Sequence, residues 1–578
     1  MIESRSNKLR FGVFCRGSTL PAWQAECLKA LSDSGVAEPA LIILEQEEKS
    51  DAGQKFIFGL KETKQFFYRL YLNLWIDLRS KSMRPRDLPQ DLKGVPTLKC
   101  KTILRDKNSR HFYTEDITAI KNMNLDFIVH FGGNAIQGDF LEVSRYGVWA
   151  YQHGPGRVMR GNPACLWEIL RTEIITEATL QKLTEPLDNE IVLYRGFFGK
   201  NNSCLKNMDD IYFGSADWCA RVCKEIVLTN GKKVFTSSAK SSEPDSRHPA
   251  NGEFVLFLIK NIWKNIIRIY EDWFLFDLWN VALVKSPAGE IINKGLPSDV
   301  LWLPPLGNAR FFADPFAIFD NAVLRLLVED YNYFQGVGTI RELVVSEDFQ
   351  IKESRIAIRS NVHMSFPRIF RHKNKIYCIP ETSRAGKVYL FEKETESGDW
   401  KIAKVILDDF PAIDPVIFKH QNLWWLLCTR SGMDASTRLY GWWAEDLHGN
   451  WTEHALNPLK CDIRSARPAG PPFDVDGDLL RPAQDCSRTY GGAITINKIC
   501  RLTPTEFEEE SFAKIAADPD GPYPDGVHTL CPLDNVTIID CKKKQFSLAV
   551  PFSKISHRLY RLYRCARRSL RPGAEKML

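Results

Sequence analysis

The chain has 578 residues, too many for one hydrophobic core, so two to four domains are expected. Apolar residues make up 44% and charged residues 26%, ordinary proportions for a soluble globular protein, and a net charge of +6 over this length makes no case for nucleic-acid binding. The fifteen cysteines lack paired metal-type spacing. They read as reduced, mostly buried thiols, with no metal site and a cytoplasmic setting. The first residues, Met1-Ile2-Glu3-Ser4-Arg5, carry no signal-peptide pattern. No uncharged run approaches the roughly 20 residues that span a bilayer.

Leu9–Cys15 reads as a first strand, Ala22–Ser32 as a helix and Ala40–Leu44 as a second strand, a βαβ opening. No Gly-x-Gly-x-x-Gly follows the first strand, which argues against ordinary dinucleotide binding. Residues 65–79, with Phe66, Phe67, Leu70, Leu74 and Leu78, read as a helix packed on this domain. Thr114–Asn122 is a further helix, and Phe127–Phe131 a buried strand ending at Gly132-Gly133-Asn134. A short amphipathic helix is expected over Ala135–Ser144, followed by Tyr146-Gly147-Val148 and then Ala150, Gln152 and His153. A buried strand stopping at glycines with polar residues beyond is how an α/β sheet presents a site at its strand ends. Asn134, Gln152, His153 and Asp188 are therefore candidates for one pocket. Residues 1–235 form one α/β unit.

In order and spacing, this stretch resembles the catalytic domain of folate-dependent formyltransferases. The resemblance lies in the strand into Phe131-Gly132, then Tyr146-Gly147-Val148, an eleven-residue gap to Arg160-Gly161, and Leu187-Asp188. It implies an open parallel sheet, 10-formyltetrahydrofolate as donor, and a histidine and asparagine acting on the formyl carbon while an aspartate holds the histidine. Carried over, the aspartate is Asp188, but the asparagine position holds Ala150 and the histidine position Gln152, with His153 one place late. Successive strand residues point to opposite faces, so His153 needs a bulge to enter the family's site. On this reading His153, Asp188 and Gln152 are catalytic. Gly132, Gly133, Asn134, Arg160 and Gly161 approach the cofactor.

Residues 236–272 comprise a polar linker and an amphipathic run. The run has Val255, Leu258, Ile259, Ile262, Trp263 and Ile266 on one side and Lys260, Lys264 and Arg268 on the other. A connecting helix and a helix lying on a membrane surface are both compatible with this pattern. The basic tail, residues 551–578, poses the same choice, so peripheral contact with the inner membrane is an expected partner interaction. Between them, residues 273–550 turn to short alternating strands. Asp314-Pro315, Phe366-Pro367, Asp414-Pro415 and then Arg467-Pro468 or Arg481-Pro482 recur at a period close to 50. Strand sets at that period predict propeller blades, and four repeats plus the strands around 273–303 predict five.

The phrases Ala313-Asp314-Pro315-Phe316, Ser365-Phe366-Pro367, Ile379-Pro380-Glu381-Thr382 and Arg481-Pro482-Ala483-Gln484-Asp485 resemble a known five-bladed propeller. It is shared by furanosidase-type glycoside hydrolases and the glucosamine inositolphosphorylceramide transferases. The resemblance implies a central funnel in which Asp314, Glu381, Asp414 and Arg481 meet a sugar, with Trp424, Trp425, Trp442 and Trp443 divided between stacking and packing. The expected fold is thus an α/β open parallel sheet plus an all-β five-bladed propeller. The leading expected function is formyl or related one-carbon transfer to an amino sugar or nucleotide sugar in surface-polysaccharide synthesis, the propeller holding the glycan. Two alternatives stand beside it: a carbohydrate-binding protein with an inactive head, and glycosyl transfer or hydrolysis in the propeller.

Overall fold

The computed structural model describes residues 8–17, 19–46, 64–106, 109–131, 135–154, 173–185, 191–200, 203–232, 236–237, 249–307, 310–320, 323–333, 336–346, 348–360, 362–393 and 398–552. The chain divides into two compact units, Met1–Asn265 and Ile266–Leu578.

The first unit is built on a ten-stranded sheet. Its centre is a parallel set in the order Thr97–Asp106, Ala37–Gln46, Leu9–Cys15, Phe127–His130, Val148–His153. Antiparallel strands Ile175–Lys182 and Ile191–Gly199 extend one side. The central strands read as unbroken apolar runs because both their faces are covered. Helices Ala22–Asp33, Cys204–Ser215 and Trp218–Leu228 pack together on one face. A parallel set of this kind is common to many α/β folds, so it fixes the layering and not the formyltransferase family. The helix expected over Ala135–Ser144 is instead a two-residue strand, Ala135–Ile136, and a single 3₁₀ turn, Asp139–Glu142. Gly138 at φ 83° interrupts any helix there.

The second unit contains five antiparallel sheets, the five blades of a propeller. Blade one spans Arg310–Ile358, blade two Ser365–Leu407, blade three Ala412–Cys461 and blade four Phe473–Ile515. The fifth is shared between the unit's two ends: Leu275–Val284 and Leu301–Trp302 pair with Gly526–Pro532 and Thr537–Phe546. That closure ties the first strand of the domain to its last and removes the free edges an open array would leave. Neighbouring blades are also pinned by buried ion pairs. Lys393 of blade two meets Glu342 of blade one at 2.9 Å, and Lys460 of blade three meets Glu509 of blade four at 2.8 Å.

The repeated X-Pro phrases have a single physical cause. Asp314, Phe366 and Asp414 sit on the innermost strands of blades one to three at φ 52°, 49° and 47°, a left-handed conformation unusual for these residues. In each case the ladder to the second strand skips a step, between Ala313 and Phe316, Ser365 and Arg368, Ile413 and Val416. The proline has no N–H to lose from the ladder, so a bulge is where it fits. Each bulge leaves one backbone amide unpaired toward the propeller axis.

Candidate functional site

Those amides are taken up by carboxylates of the preceding blade. Asp540 of the closing blade accepts from Asp314 N (2.8 Å), Asp314 from Phe366 N (3.1 Å), and Glu381 from Asp414 N (3.2 Å). Blade four continues the relay with side chains, since Arg467 Nε and Gln484 Nε2 both donate to Asp414 Oδ2 at 2.6 Å. On the second strands of blades one and two, Glu329 and Glu381 stand opposite Ala313 and Ser365. The pleat therefore turns both side chains inward beside the bulges. Asp314, Glu329, Glu381, Asp414 and Asp540 are all buried, and they meet at the floor of a central funnel.

The charges there are not all alike. His528, on the innermost strand of the closing blade, bonds Asp540 Oδ1 through Nδ1 (2.7 Å) and Asp314 Oδ1 through Nε2 (3.1 Å). Burial disfavours its charge, but Asp540 and Asp314 outweigh that and raise its pKa to about 10, so the ring is an imidazolium at neutral pH. Oxygen and nitrogen atoms of Asp314, His528 and Asp540 lie within 4.8 Å of one another, the spacing of a cation site. As an imidazolium the ring supplies the positive charge between the two carboxylates; as a neutral imidazole it would leave one nitrogen lone pair for a cation. Glu381 is pushed up to about 8, first by burial and then by Asp414, with Arg467 opposing. Burial pushes Glu329 well above the usual carboxylate range, reinforced by Asp314 and Glu381. Its Oε1 has no hydrogen-bond partner within the protein. Gly338 makes room for it: a Cβ there would lie 2.0 Å from that oxygen. Beside these groups Arg467 lies 4.8 Å from the Tyr490 ring centroid, and the Trp279 ring is tilted against His528 at 3.8 Å.

Three of the four residues expected in the propeller, Asp314, Glu381 and Asp414, thus converge. Arg481 does not. It is fully buried between strands of blade four, where Nε and Nη2 pair with Glu509 at 2.7 Å and Nη2 also meets Ser465 O. It holds the blade together and has no surface for substrate. Trp424, Trp425 and Trp442 are likewise buried in packing clusters and Trp443 is half-buried against one of them, while Tyr490 and Trp279 lie against His528. Glu329, His528 and Asp540 were not singled out from sequence, and Arg467 entered only as part of a repeat phrase. Glu329 had a visible signal, because it follows Asp314 by fifteen residues just as Glu381 follows Phe366. Asp540 and His528 had none, lying in the blade that the repeat does not announce.

In the head, Gly132, Gly133, Asn134, Arg160, Gly161 and Asp188 lie outside the described residues. Gln152 and His153 occupy the last two places of the strand Val148–His153, where Gln152 pairs with Thr179 and His153 with Ala178 in an unshifted ladder. No bulge brings them to one face. The His153 ring turns toward the helices, against Trp23 (5.2 Å) and Tyr212 (4.4 Å), with Nε2 2.9 Å from Ser215 Oγ. Burial pushes its pKa down to about 3, so it is a neutral, packed ring.

Fold and site together define a five-bladed propeller whose funnel is floored by carboxyl groups interleaved with an arginine and an imidazolium. Residues 306–519, covering blades one to four, match the family model described as Glucosamine inositolphosphorylceramide transferase 1, N-terminal. The chain is 33% identical over 209 residues to Glucosamine inositolphosphorylceramide transferase 1 of Oryza sativa subsp. japonica, 35% of this chain and 28% of that one. It is 29% identical over 256 residues to the Arabidopsis thaliana protein of the same name, 43% of this chain and 31% of that one. The chain therefore spans under a third of the relatives it matches. Among solved structures, the catalytic domain of a Coprinopsis cinerea GH62 alpha-L-arabinofuranosidase is 10% identical, covers 40% of this chain and 83% of that one, and has a TM-score of 0.33. A family 117 glycoside hydrolase of Zobellia galactanivorans is 14% identical, covers 47% and 92%, and has a TM-score of 0.31.

Proposed function

We propose that this protein is a glycosyltransferase whose reaction takes place in the propeller funnel, moving a sugar, by preference an amino sugar, from a nucleotide donor to an acceptor hydroxyl. The observation that carries the reading is the pairing of Glu381, whose proton affinity lies near working pH, with the Asp414–Arg467 ion pair on a buried floor. Transfer needs a base for the acceptor and positive charge for the departing phosphate. In this reading Glu381 takes the acceptor hydroxyl proton as the new C1–O bond forms, the C1–O(phosphate) bond breaks, and the nucleoside diphosphate leaves with the electron pair. Arg467 faces the leaving group, and Glu329, as a neutral acid, bonds a sugar hydroxyl. The likeness to the transferases of rice and Arabidopsis supports sugar transfer over other chemistry.

The test is incubation with nucleoside-diphosphate amino sugars and alcohol acceptors, followed by mass spectrometry of the products. Acceptor-dependent release of nucleoside diphosphate is expected, falling at least about 100-fold in Asp414→Asn, in the range of losses from disturbing a positioned acid or base. Saturable sugar binding with no product under any donor would reduce the protein to a carbohydrate-binding module. Free sugar released from a glycan would make it a hydrolase.

A second reading keeps formyl transfer in the head, with 10-formyltetrahydrofolate as donor. What favours it is the parallel sheet with Gln152 at the end of a central strand; what weighs against it is the neutral, packed His153. Calorimetry with a stable folate analogue decides. No saturable binding at millimolar ligand is expected, and binding that weakens in Asp188→Ala would restore the head as a catalytic domain.

A further inference from the structure

The long helix Asn251–Phe274 inverts the usual pattern of a surface helix. Its exposed side is the apolar one: Val255, Leu256, Ile259, Ile262, Trp263 and Ile266 are all exposed, Trp263 at 62%. At 3.6 residues per turn these positions share one broad face, which Ile269, Tyr270 and Trp273 continue along the same helix. Phe254 and Phe257, on its other side, are buried against Tyr68 and Tyr71 of the helical segment Phe66–Arg79. That segment has the same inversion. Expected from sequence to pack its apolar side on the domain, it exposes Phe66, Phe67, Leu70, Leu74, Trp75 and Leu78 instead. Between the two helices lies a groove of about 400 Å³ lined by Phe67, Leu70, Tyr71, Leu74, Phe254 and Leu258, among others.

An exposed apolar surface this continuous costs free energy in water and marks an interaction site. Its charges indicate the occupant. Lys260 borders the apolar face, and Lys264 and Arg268 follow it at four-residue spacing round to the other side of the helix, where Arg268 lies 3.9 Å from Asp272. Arg69 and Arg79 lie on the second segment, Arg79 with its guanidinium 3.8 Å over the Trp75 ring. Of the acidic residues toward the end of the long helix, Glu271 is paired with Lys544 at 2.8 Å. Apolar side chains with tryptophans among them, bordered by lysine and arginine, match a bilayer interface: acyl chains, then the polar boundary, then anionic headgroups. Among the described residues no helix is long and apolar enough to cross a membrane.

We infer that Phe66–Arg79 and Asn251–Phe274 form a monotopic membrane anchor that lies in the surface of an anionic phospholipid bilayer. The helices insert their apolar faces to the level of the first acyl carbons, and Lys260 beside that face, with Lys264 reaching round from the next turn and Arg79 on the second segment, binds headgroup phosphates. This inference goes beyond the proposed reaction and stands or falls separately from it.

The test is flotation of the full-length protein with vesicles of phosphatidylcholine alone and of phosphatidylcholine with phosphatidylglycerol. Wild type is expected to float with the anionic vesicles at least ten-fold more than with neutral ones, and 0.5 M salt should narrow that ratio. Ile262→Asp with Trp263→Ser, both at exposed positions, should abolish flotation while circular dichroism stays unchanged. Lys260→Glu with Lys264→Glu should remove only the preference for anionic lipid. Wild type that stays with the soluble fraction for both vesicle types would overturn the proposal, as would flotation that the Ile262/Trp263 variant retains. Concentration-dependent dimerisation lost in the same variant, without flotation, would assign the surface to a second copy of this chain.

Discussion

Replacing Glu381 by glutamine is expected to lower sugar transfer by about 10²–10⁴-fold, the usual range for a lost general base, while leaving the fold intact. Glutamine keeps the shape of the side chain: its oxygen can accept from Asp414 N, and its amide can donate to Ser383 Oγ, which donates to the other oxygen of Glu381. The wild-type pH profile carries the sharper information. Burial and then Asp414 raise the Glu381 pKa to about 8. If Glu381 acts as base toward an acceptor, with a phosphate as leaving group, the rate rises with pH and levels off above about 8. If it acts as acid on a glycosidic oxygen, the rate falls across that range. A rising limb that disappears in Glu381→Gln is the expected result; a falling limb would turn the funnel into a hydrolase site. Stability should move the opposite way. A carboxyl whose folded pKa exceeds its unfolded value near 4.5 contributes stability that is whole below about pH 4.5 and lost as pH climbs through about 8. Glu381→Gln should therefore unfold at least as high as wild type at pH 9, read by thermal melts.

The blades were legible because a bulge recurs, and the bulge has a chemical signature. A proline that cannot serve the ladder follows a residue in the left-handed region, and the pair recurs at Asp314, Phe366 and Asp414. The same device explains why two of the three residues at those bulges are acidic. An inward carboxylate caps the amide that the next bulge frees, so part of what looked like a catalytic signal is a construction rule of the propeller. Arg481 shows the converse. It shares a phrase with residues of the site, but alternation along its strand sends it to Glu509, while Gln484, three places on, reaches Asp414. The strands around 273–303 were counted as a fifth blade, but its other half stayed hidden because Leu275–Val284 and its partner Thr537–Phe546 lie more than 250 residues apart and repeat no phrase. Helical periodicity located the segments 65–79 and 255–273; it misjudged the orientation of the first and left that of the second open. A 3.6-residue pattern shows that one side is apolar; it does not say whether protein or something else covers that side.

Removing His528 should be the most damaging single change in the propeller. The ring bridges Asp314 and Asp540, both buried, and no other cation contacts either carboxylate among the described residues. His528→Phe keeps a ring against Trp279 but leaves two carboxylates without their counter-charge, a loss of about 3–5 kcal/mol for a buried pair broken from one side. The linkage can be checked on wild type alone. Burial lowers the His528 pKa, but Asp540 and Asp314 raise it further, to about 10, above an unfolded value near 6.5. Its contribution to stability is whole below about pH 6.5 and is lost as pH rises through about 10. Urea midpoints measured from pH 6 to 10 should fall in wild type more steeply than in His528→Phe, the two curves converging at the alkaline end. Parallel curves would mean that the ring is neutral in the fold. In that case Asp314 and Asp540 would lack a fixed positive partner, and the three residues would again have a lone pair free for a cation.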